Sequence, residues 1–290
     1  MESKSVSVII PAHNEGETIG GLIKGIQGLY PEYEIIVIND GSTDNTGTAA
    51  REAGAIVYSH PYNIGNGAAI KSGIRIASGE VMVFLDGDGQ HDPKDIAALL
   101  DYLPAFDMVV GARPKGEQSW GRGFGNRTLN WLATYVSKFK IMDLTSGFRA
   151  VKSTIARNFL YLLPNTYSYP TTLTLGVLRS GRSLKYLPVS IQVRKGGKSN
   201  IRLFRDGVRF FMIITKICAL YSPMRIFLPA SCFMFALGLG YYLYTYIAWG
   251  RFTNMSALLF TTSILIFLMG LISEQITQMR FERSEGDRFI

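Results

Sequence analysis

The sequence predicts an α/β fold, a mostly parallel sheet with helices on both faces, followed by an interfacial helix and two C-terminal transmembrane helices. Short apolar runs alternate with helical stretches over residues 1–111. These runs are continuously apolar, as strands buried on both faces of a parallel sheet are. Near the C-terminus, two uncharged segments each exceed the roughly 20 residues needed to cross a bilayer.

The first 111 residues supply the strands of this sheet. The predicted strands are Val6–Ile10, Glu34–Ile38, Ala55–Tyr58, Val81–Leu85 and Met108–Val110. The predicted helices are Glu15–Leu29, a helix from an Asp44 N-cap to Ala53, Gly67–Ala77 and Pro93–Leu103. Ligands of such sheets bind beyond the carboxyl ends of the strands. The polar clusters Pro11–Glu15, Asn39–Asp44 and Asp86–Asp92 occupy those positions and are predicted to form a site.

Residues 112–200 complete the first domain, which we place at residues 1–200. Helices are predicted at Asn126–Lys138, Thr154–Leu162 and Tyr169–Arg179, with a polar turn at Asp143–Arg149 and a strand at Leu184–Val193. The two cysteines, Cys218 and Cys232, lie in apolar surroundings late in the chain. Neither a disulfide framework nor Cys/His zinc spacing is present, which suits a reducing compartment.

Charge divides the chain into three parts. Residues 1–110 carry 6 Lys/Arg and 15 Asp/Glu, residues 111–216 carry 19 and 3, and residues 217–290 carry 5 and 4. An acidic first third before a basic middle is not the pattern of a nucleic-acid-binding face. A basic segment directly before apolar spans favours anionic lipid headgroups, although a merely solvated basic face has the same composition.

The C-terminal part is predicted to hold the chain in a membrane. Residues 201–224 form an amphipathic segment that fits an interfacial helix, or a helix packed on the first domain. Residues 225–290 contain the two spans, at about 226–249 and 252–276, and a short tail. By the positive-inside rule the first domain and both termini are cytoplasmic. Two buried helices of a soluble domain are the alternative. Glu274, near the end of the second span, fits an interfacial position better than a functional intramembrane acid.

The sharpest local motif is Asp86-Gly87-Asp88-Gly89-Gln90, directly after an apolar strand. Small residues between the carboxylates allow a tight turn that brings oxygen atoms together. Mg²⁺ and Mn²⁺ prefer such oxygen ligands, usually one or two carboxylates with substrate phosphates. Acidic loops are common, and the position after a series of strands and helices is what makes this one informative.

Four motifs in order resemble the family 2 glycosyltransferases of the GT-A fold, specifically the dolichol- and polyprenyl-phosphate mannose and glucose synthases. They are Pro11-Ala12-His13-Asn14-Glu15, Asn39–Asp44, Asp86–His91 and Ser146-Gly147-Phe148-Arg149. The resemblance covers about residues 5–200, and the two spans look like those of bacterial polyprenyl-phosphate glucosyltransferases. His13 stands where an aromatic Tyr is usual, and Asn39 replaces a common acid.

The resemblance implies roles for individual residues. Those expected to hold the nucleotide-sugar are Pro11, His13, Glu15, Asp40, Asp86, Gly87, Asp88, Arg194 and Lys198. Asp88 and Gln90 are expected to bind Mg²⁺ or Mn²⁺. Arg113 and Arg127 are expected to act in catalysis together with Asp88, and Arg113, Arg127 and Arg149 to meet the acceptor phosphate.

Simpler roles are open for several of these residues. Asp44 and Ser42 fit a turn and a helix cap, and Asp143 fits a cap better than a catalytic role. Arg127 fits a contact with headgroups, and Arg149 fits a structural brace for Asp143. His60 and His91 resemble ordinary loop residues, with no partner at metal-ligand spacing.

The expected reaction is inverting transfer of a hexose from a UDP- or GDP-linked sugar to a polyprenyl phosphate. A sugar hydroxyl needs a general base, whereas a phosphate monoester, with a second pKa of about 6, is already largely dianionic. A polysaccharide synthase is an alternative, but the Gln-x-x-Arg-Trp motif is absent from the sequence. A catalytically idle membrane adaptor is another, against which the intact acidic motif argues. Two spans are compatible with a homo-oligomer and fix no copy number.

Overall fold

A computed structural model describes residues 5–113, 127, 130–135, 137–165, 169–189 and 222–286. The chain divides into two compact units, Met1–Ile213 and Ile214–Ile290. The first unit contains the sheet and its helices, and the second contains two long helices. The predicted interfacial segment lies almost wholly outside the described residues.

The described part of the first unit contains one seven-stranded sheet of order β3-β2-β1-β4-β6-β5-β7. Its strands are β1 (Val6–Ala12), β2 (Glu34–Asn39), β3 (Ile56–Ser59), β4 (Val81–Phe84), β5 (Met108–Ala112), β6 (Arg149–Lys152) and β7 (Leu184–Pro188). All neighbouring strands are parallel except β6, which is antiparallel to both β4 and β5. The predicted mixed α/β fold with a mostly parallel sheet is therefore confirmed.

Six helices of the first unit are bounded within the described residues. They are α1 (Ile19–Leu29), α2 (Thr46–Glu52), α3 (Asn66–Ile76), α4 (Asp95–Leu100), α5 (Ser153–Asn158) and α6 (Tyr169–Arg179). The core lies between the sheet and these helices, where β1 is buried along its whole length and α1 contributes Ile19, Leu22, Ile23 and Ile26. Residues 130–135 are also helical, in the stretch predicted as Asn126–Lys138.

The structure differs from the sequence predictions at the end of β1 and at β6. Strand β1 continues through Pro11 to Ala12, although Pro11 was expected to end it. Pairing with β4 stops at Ile9 opposite Phe84, so the missing N–H of Pro11 removes no bond from that ladder. Residues 149–152 form β6, where the sequence indicated a turn followed by a helix.

The second unit consists of helices α7 (Met224–Trp249) and α8 (Asn254–Gly286). Both are long and apolar enough to span a membrane, and only 11% and 17% of their most apolar windows are buried. Helices of a soluble core would be mostly buried. Gly250, which has a φ of 62°, closes α7 in the left-handed conformation that glycine adopts readily.

Small residues line the contact between α7 and α8 at seven-residue intervals. These buried residues are Ser231, Gly238 and Thr245 on α7 and Ser256, Ser263, Gly270 and Thr277 on α8. The Ser231 and Ser263 hydroxyls each donate to the other residue's carbonyl at 2.9 Å. A Cβ on Gly270 would lie 2.6 Å from the Cβ of Phe227. Small residues let helix backbones approach closely, as in membrane helix pairs.

Candidate active site

The acidic motif forms a tight loop at the carboxyl end of β4. The Gln90 amide donates to Asp88 Oδ1 at 3.1 Å, and Gly89 takes a φ of 69°, which glycine adopts at no steric cost. A Cβ on Gly87 would lie 3.2 Å from the Pro11 carbonyl, and Thr18 Oγ1 donates to the Gly87 carbonyl at 3.0 Å. These contacts fix the loop against Pro11 at the end of β1 and against Thr18, the N-cap of α1.

The Asp86 and Asp88 carboxylates form an electrostatically strained pair. Burial raises the pKa of the Asp86 carboxyl to about 6, and the charge of Asp88 acts in the same direction, while Arg149 and Arg113 oppose it. The Asp86 side chain lies over Gly147, where a Cβ would meet its Oδ2 at 2.5 Å. A divalent cation would relieve this repulsion, so the carboxylates and the Gln90 amide suit Mg²⁺ or Mn²⁺. No group of three or more His, Cys, Asp or Glu side chains suited to a metal occurs among the described residues. Substrate phosphates would have to supply further ligands.

His91 follows the acidic loop and is buried, contrary to its interpretation as an ordinary loop residue. Its ring stacks on Phe148 with centroids 4.8 Å apart, and its Nδ1 atom is buried without a hydrogen-bond partner. Burial lowers the pKa of the His91 imidazole, and Arg113 adds to this, against opposing effects of Asp88 and Asp143. A neutral ring here packs the loop against the turn that precedes β6.

Asp40 lies at the end of β2, and its buried carboxylate is fully engaged by the protein. Oδ1 accepts from His60 Nδ1 at 2.7 Å and from the Ile64 amide at 3.0 Å. Oδ2 accepts from the Gly65 amide at 2.8 Å, and His60 Nε2 contacts Ser72 Oγ at 2.9 Å. Asp40 therefore fastens the β2 loop to the segment that leads into α3.

The loops after β1 and β2 are joined to each other by further hydrogen bonds. His13 Nδ1 lies 2.9 Å from the Asp40 carbonyl oxygen, and Asn14, with a φ of 57°, accepts from the Thr43 amide. The Glu15 amide donates to Thr46 Oγ1 at 2.9 Å. Asp44 accepts from the Thr46 amide one residue before the N-cap of α2, Asn45. His13 is exposed at this edge, so its ring is available to a ligand.

Arg113 and Asp143 form an ion pair beside the acidic loop. Arg113 Nε donates to Asp143 Oδ2 at 2.7 Å, and its NH2 group donates to Asp143 Oδ1 at 3.2 Å and to Thr145 Oγ1. Asp143 Oδ1 also accepts from the Thr145 and Ser146 amides, so this residue caps the turn. These hydrogen bonds lower the pKa of Asp143 despite its burial, with Arg113 the leading partner. Asp143 is thus a fixed anion and a poor proton acceptor near neutral pH.

Arg149 occupies a different environment from the one that the sequence suggested. Its side chain has no solvent exposure. The guanidinium donates to the Pro170 and Ser146 carbonyls and to Thr174 Oγ1, and its centre lies 5.9 Å from the Tyr169 ring centroid. None of its hydrogen bonds reaches Asp143, so the brace that the sequence left open is not formed, and Arg113 holds Asp143 instead. Full burial also keeps Arg149 from direct contact with an acceptor phosphate. Its positive charge favours the ionised form of Asp86 and so opposes the rise in the pKa of that carboxyl.

Among the remaining predicted site residues, Pro11 and Gly87 are buried, and Glu15, Asp88 and Gln90 are partly exposed. Arg127 is helical and exposed. Arg194 and Lys198 lie outside the described residues. The two histidines are what sequence reasoning missed. His60 lies 20 residues from Asp40 in the chain, and only the parallel pairing of β2 and β3 indicates that the two are neighbours.

A family model described as glycosyl transferase family 2 matches residues 7–160, more than half of the chain. The chain belongs to glycosyl transferase family 2. It is therefore a glycosyltransferase with a GT-A fold. A second model, the GtrB C-terminal hairpin, matches residues 222–279, the region of α7 and α8. This match and the two apolar helices indicate membrane association.

Several curated relatives of this family 2 chain are informative. Glycosyltransferase AglJ of Haloferax volcanii is 26% identical over 96% of both chains. Dodecaprenyl-phosphate galacturonate synthase of Rhizobium johnstonii is 27% identical over 83% of this chain and 73% of its own length. Undecaprenyl-phosphate 4-deoxy-4-formamido-L-arabinose transferase of Proteus mirabilis is 31% identical, and the match spans 57% of each protein.

Solved structures support the fold. Glucosyl-3-phosphoglycerate synthase from Mycobacterium tuberculosis, in complex with Mn²⁺, UDP and phosphoglyceric acid, aligns with a TM-score of 0.62 at 22% identity. The alignment covers 75% of this chain and 78% of the other. The same enzyme with Mg²⁺ and UDP aligns with a TM-score of 0.61. At this identity the likeness establishes the fold alone.

Proposed function

We propose that this glycosyltransferase transfers a hexose, with inversion, from a UDP- or GDP-linked sugar to a polyprenyl phosphate. The observation that carries the proposal is that a carboxylate pair and a fixed cation belong to one site. The Asp86 carboxyl experiences the charges of both Asp88 and Arg113, and Arg113 is held in place by Asp143. Two of the relatives named above act on dodecaprenyl or undecaprenyl phosphate. The carboxylates of Asp86 and Asp88 suit a metal-bound diphosphate, and the Arg113 guanidinium suits an anionic acceptor.

The donor is proposed to lie along the carboxyl ends of β1, β2 and β4. His13 is exposed there for contact with the base, and the Asp40 network fixes the loop that carries it. Asp40 itself is proposed to act through this loop, because its carboxylate oxygens are engaged by protein donors. Pro11, Glu15, Asp86 and Gly87 complete the donor side, and Arg194 and Lys198 are proposed to close it.

Asp88 and Gln90 would hold Mg²⁺ or Mn²⁺, which supplies Lewis-acid stabilisation of the departing diphosphate. An oxygen of the polyprenyl phosphate attacks the anomeric carbon from the face opposite the nucleotide. As the new C–O bond forms, the bond to the nucleotide β-phosphate oxygen breaks, and its electron pair leaves with the nucleoside diphosphate. Arg113 and Arg127 screen and position the acceptor phosphate. A phosphate dianion needs no deprotonation, which agrees with an Asp143 that is ion-paired and a His91 that is buried.

The charge pattern supports a membrane topology with residues 1–200 and both termini in the cytoplasm. Arg225 precedes the first span, Arg280 and Arg283 follow the second, and the short link holds only Arg251. Residues 201–224 are proposed to lie at the interface, and residues 225–290 to form the anchor. Self-association stays compatible with this arrangement.

The test is transfer by the full chain in nanodiscs. Purified protein would be incubated with a panel of UDP- and GDP-sugars, polyprenyl phosphate, and either Mg²⁺, Mn²⁺ or EDTA. Mass spectrometry should detect a polyprenyl-phosphate monosaccharide with one donor, only when a divalent cation is present. Growth of a sugar polymer without a lipid product would favour a polysaccharide synthase. Nucleotide binding without any transfer would favour an adaptor.

A further inference from the structure

Two exposed ring side chains follow the carboxyl ends of the strands β1 and β3. The strands β1, β2 and β3 end in one row, where Ala12 pairs with Asn39 and Asn39 pairs with Ser59. His13 is the first residue after this row on β1 and is exposed. Tyr62 is the third residue after the row on β3, and its exposed fraction is 67%. Both rings therefore belong to the edge of the sheet at which ligands of such folds bind.

These two residues contact the same short piece of backbone. His13 Nδ1 lies 2.9 Å from the Asp40 carbonyl oxygen. A Cβ on Gly41 would lie 2.6 Å from the Tyr62 Cα atom and 2.3 Å from the Tyr62 carbonyl carbon, so the backbone of Tyr62 packs directly on Gly41. Because β2 lies between β1 and β3, His13 reaches the Asp40–Gly41 peptide from one side and Tyr62 reaches it from the other.

The backbone that carries Tyr62 is held in place by buried hydrogen bonds. The Ile64 and Gly65 amides donate to the Asp40 carboxylate at 3.0 and 2.8 Å, and Asp40 is only 3% exposed. Gly41 has a φ of 63°, and a side chain there would collide with the Tyr62 backbone. The exposed Tyr62 ring is therefore attached to a fixed backbone. Such a ring loses little conformational freedom when a ligand covers it.

The hydrogen bonds of His13 leave an acceptor atom at its exposed edge. A carbonyl oxygen can only accept, so in the neutral ring the proton is on Nδ1, which donates to the Asp40 carbonyl. The Asn14 Oδ1 atom accepts from the Thr43 amide, and this orients the Asn14 amino group toward His13 Nε2, 3.5 Å away. Nε2 is therefore an acceptor that suits an N–H group of a ligand.

The composition of this edge favours a neutral, planar ligand. A single exposed aromatic residue is ordinary on a protein surface, so the surroundings decide its meaning. From His60 to Gly67 the sequence contains no Asp, Glu, Lys or Arg, and the Asp40 carboxylate is buried. The acidic loop follows β4, and β1 separates β4 from β2 and β3. A nucleotide whose diphosphate lies at the acidic loop would extend its base across β1 toward the ends of β2 and β3.

We infer that Tyr62 binds the nucleobase of the sugar donor, by stacking its ring on the base beside the Asp40–Gly41 peptide while His13 Nε2 accepts from an N–H group of the base. The inference rests on the proposed use of a nucleotide-sugar, and Tyr62 lies outside the four motifs of the sequence. Stacking tolerates different bases, because every base has a π-face. Tyr62 should therefore add affinity for a uracil or a guanine nucleotide alike.

Calorimetric titration with ligands that have or lack a base tests this contact. The full chain in nanodiscs with Mg²⁺ would be titrated with UDP, GDP and ribose 5-diphosphate, which has no base. Tyr62→Ala should weaken binding of the tighter nucleotide about tenfold or more and change the affinity for ribose 5-diphosphate less than about twofold. Tyr62→Phe keeps the ring, and its affinity for the nucleotide should stay within about twofold of the parent.

Tyr102→Ala is the matched control for loss of an exposed tyrosine. Tyr102 is 38% exposed and precedes β5, whose amino end lies at the opposite edge of the sheet, so this variant should bind all three ligands like the parent. Equal weakening of nucleotide and ribose 5-diphosphate by Tyr62→Ala, or unchanged binding of both, would overturn the inference. A parent that binds ribose 5-diphosphate as tightly as UDP and GDP would overturn it as well.

The outcomes separate the role of Tyr62 from the proposed reaction, because no acceptor is present in the titrations. Base-dependent binding through Tyr62 in a chain that transfers no sugar would support the inference and remove the reaction. Transfer to polyprenyl phosphate by Tyr62→Ala with a parent-like KM for the nucleotide-sugar would remove the inference and leave the reaction intact. Failure of the parent to bind either nucleotide would overturn both.

Discussion

Asp88 shows how much of the candidate chemistry depends on single side chains. Its carboxylate accepts from the Gln90 amide and so organises the acidic loop, and its charge adds to the burial that raises the pKa of Asp86. It is also the residue for which the resemblance and the geometry imply the same role. Asp143 has a comparable importance beside it, because one carboxylate fixes the Arg113 guanidinium and caps a turn.

Replacing Asp88 by Asn should reduce metal-dependent transfer about a hundredfold or more, because several kcal/mol of charge stabilisation are lost. The amide keeps the shape of the loop, so the far-UV circular dichroism should match the parent. The measurement is kcat/KM for the nucleotide-sugar across a Mg²⁺ and Mn²⁺ titration. Parent-like activity in this variant would remove Asp88 from the metal site.

Replacing Asp143 by Asn tests whether this carboxylate positions Arg113 or removes a proton. Positioning predicts a higher KM for the acceptor, by about tenfold, with an unchanged pH profile. The fold should lose about 2 kcal/mol, since Arg113 is left partly buried without its partner. The Lys152→Met variant, which breaks the more exposed pair with Asp107, should cost less than about 1 kcal/mol. Loss of an acidic limb from the rate profile in D143N would instead identify Asp143 as a base.

Stability should also report the raised pKa of Asp86. A carboxyl with a folded pKa of about 6, above its ordinary value, favours the folded state while protonated. This contribution is complete below the unfolded pKa and is lost as pH rises through 6. Metal-free protein should therefore show a falling Tm from pH 4.5 to 7 that is flatter in an Asp86→Asn variant. An equal slope in both proteins would contradict the shift.

At the scale of elements, β6 shows what the sequence could and could not predict. Continuous apolar runs revealed the parallel strands, and Tyr169–Arg179 was predicted with the observed bounds. The four residues of β6 begin with Arg149 and read as polar, because their burial depends on partners from two strands and α6. Arg149 is a buried cation whose hydrogen-bond acceptors include the carbonyl of Pro170, far along the chain. Such a residue leaves no recognisable pattern in the local sequence. The same reason hid the contact of His60 with Asp40.

The turn before β6 offers a test at this scale. Gly147→Ala should place a methyl group 2.5 Å from Asp86 Oδ2, displacing the carboxylate and lowering transfer about tenfold or more. Gly28→Ala in α1 has no heavy atom within 4 Å, and it should retain activity and gain about 0.5 kcal/mol. The measurements are thermal melts and kcat/KM for both variants, each compared with the parent. Full activity in G147A would show that the turn tolerates the shift.

At the scale of the whole molecule, the two units differ in which residues they bury. The first buries continuous apolar strands under helices, whereas the second leaves large apolar residues exposed and buries small ones between α7 and α8. The two apolar helices were predicted from their lack of charge, although α8 continues to Gly286, beyond the predicted end at 276. Their seven-residue pattern of Ser, Gly and Thr is also in the sequence, although it becomes informative only once two helices are known to pair.

Substitutions on α7 should separate this packing from hydrophobicity. Gly238→Leu adds bulk where a Cβ would already lie 3.1 Å from Leu259 Cβ, and it should lower the Tm in nanodiscs by several degrees. Gly240→Leu adds the same side chain where no heavy atom lies within 4 Å and should be tolerated. Equal melting temperatures for the two variants would show that α7 and α8 do not pair through these small residues.

The small buried residues between α7 and α8 have opposite effects on two stages of membrane assembly. Entry of a helix into the bilayer improves with every added methylene, whereas lateral association of two inserted helices needs their backbones close together. At Gly238 and Gly270 any larger side chain would favour the first stage and hinder the second. Such variants would integrate into membranes as well as the parent and still fail as a closed hairpin, a defect that hydropathy cannot reveal.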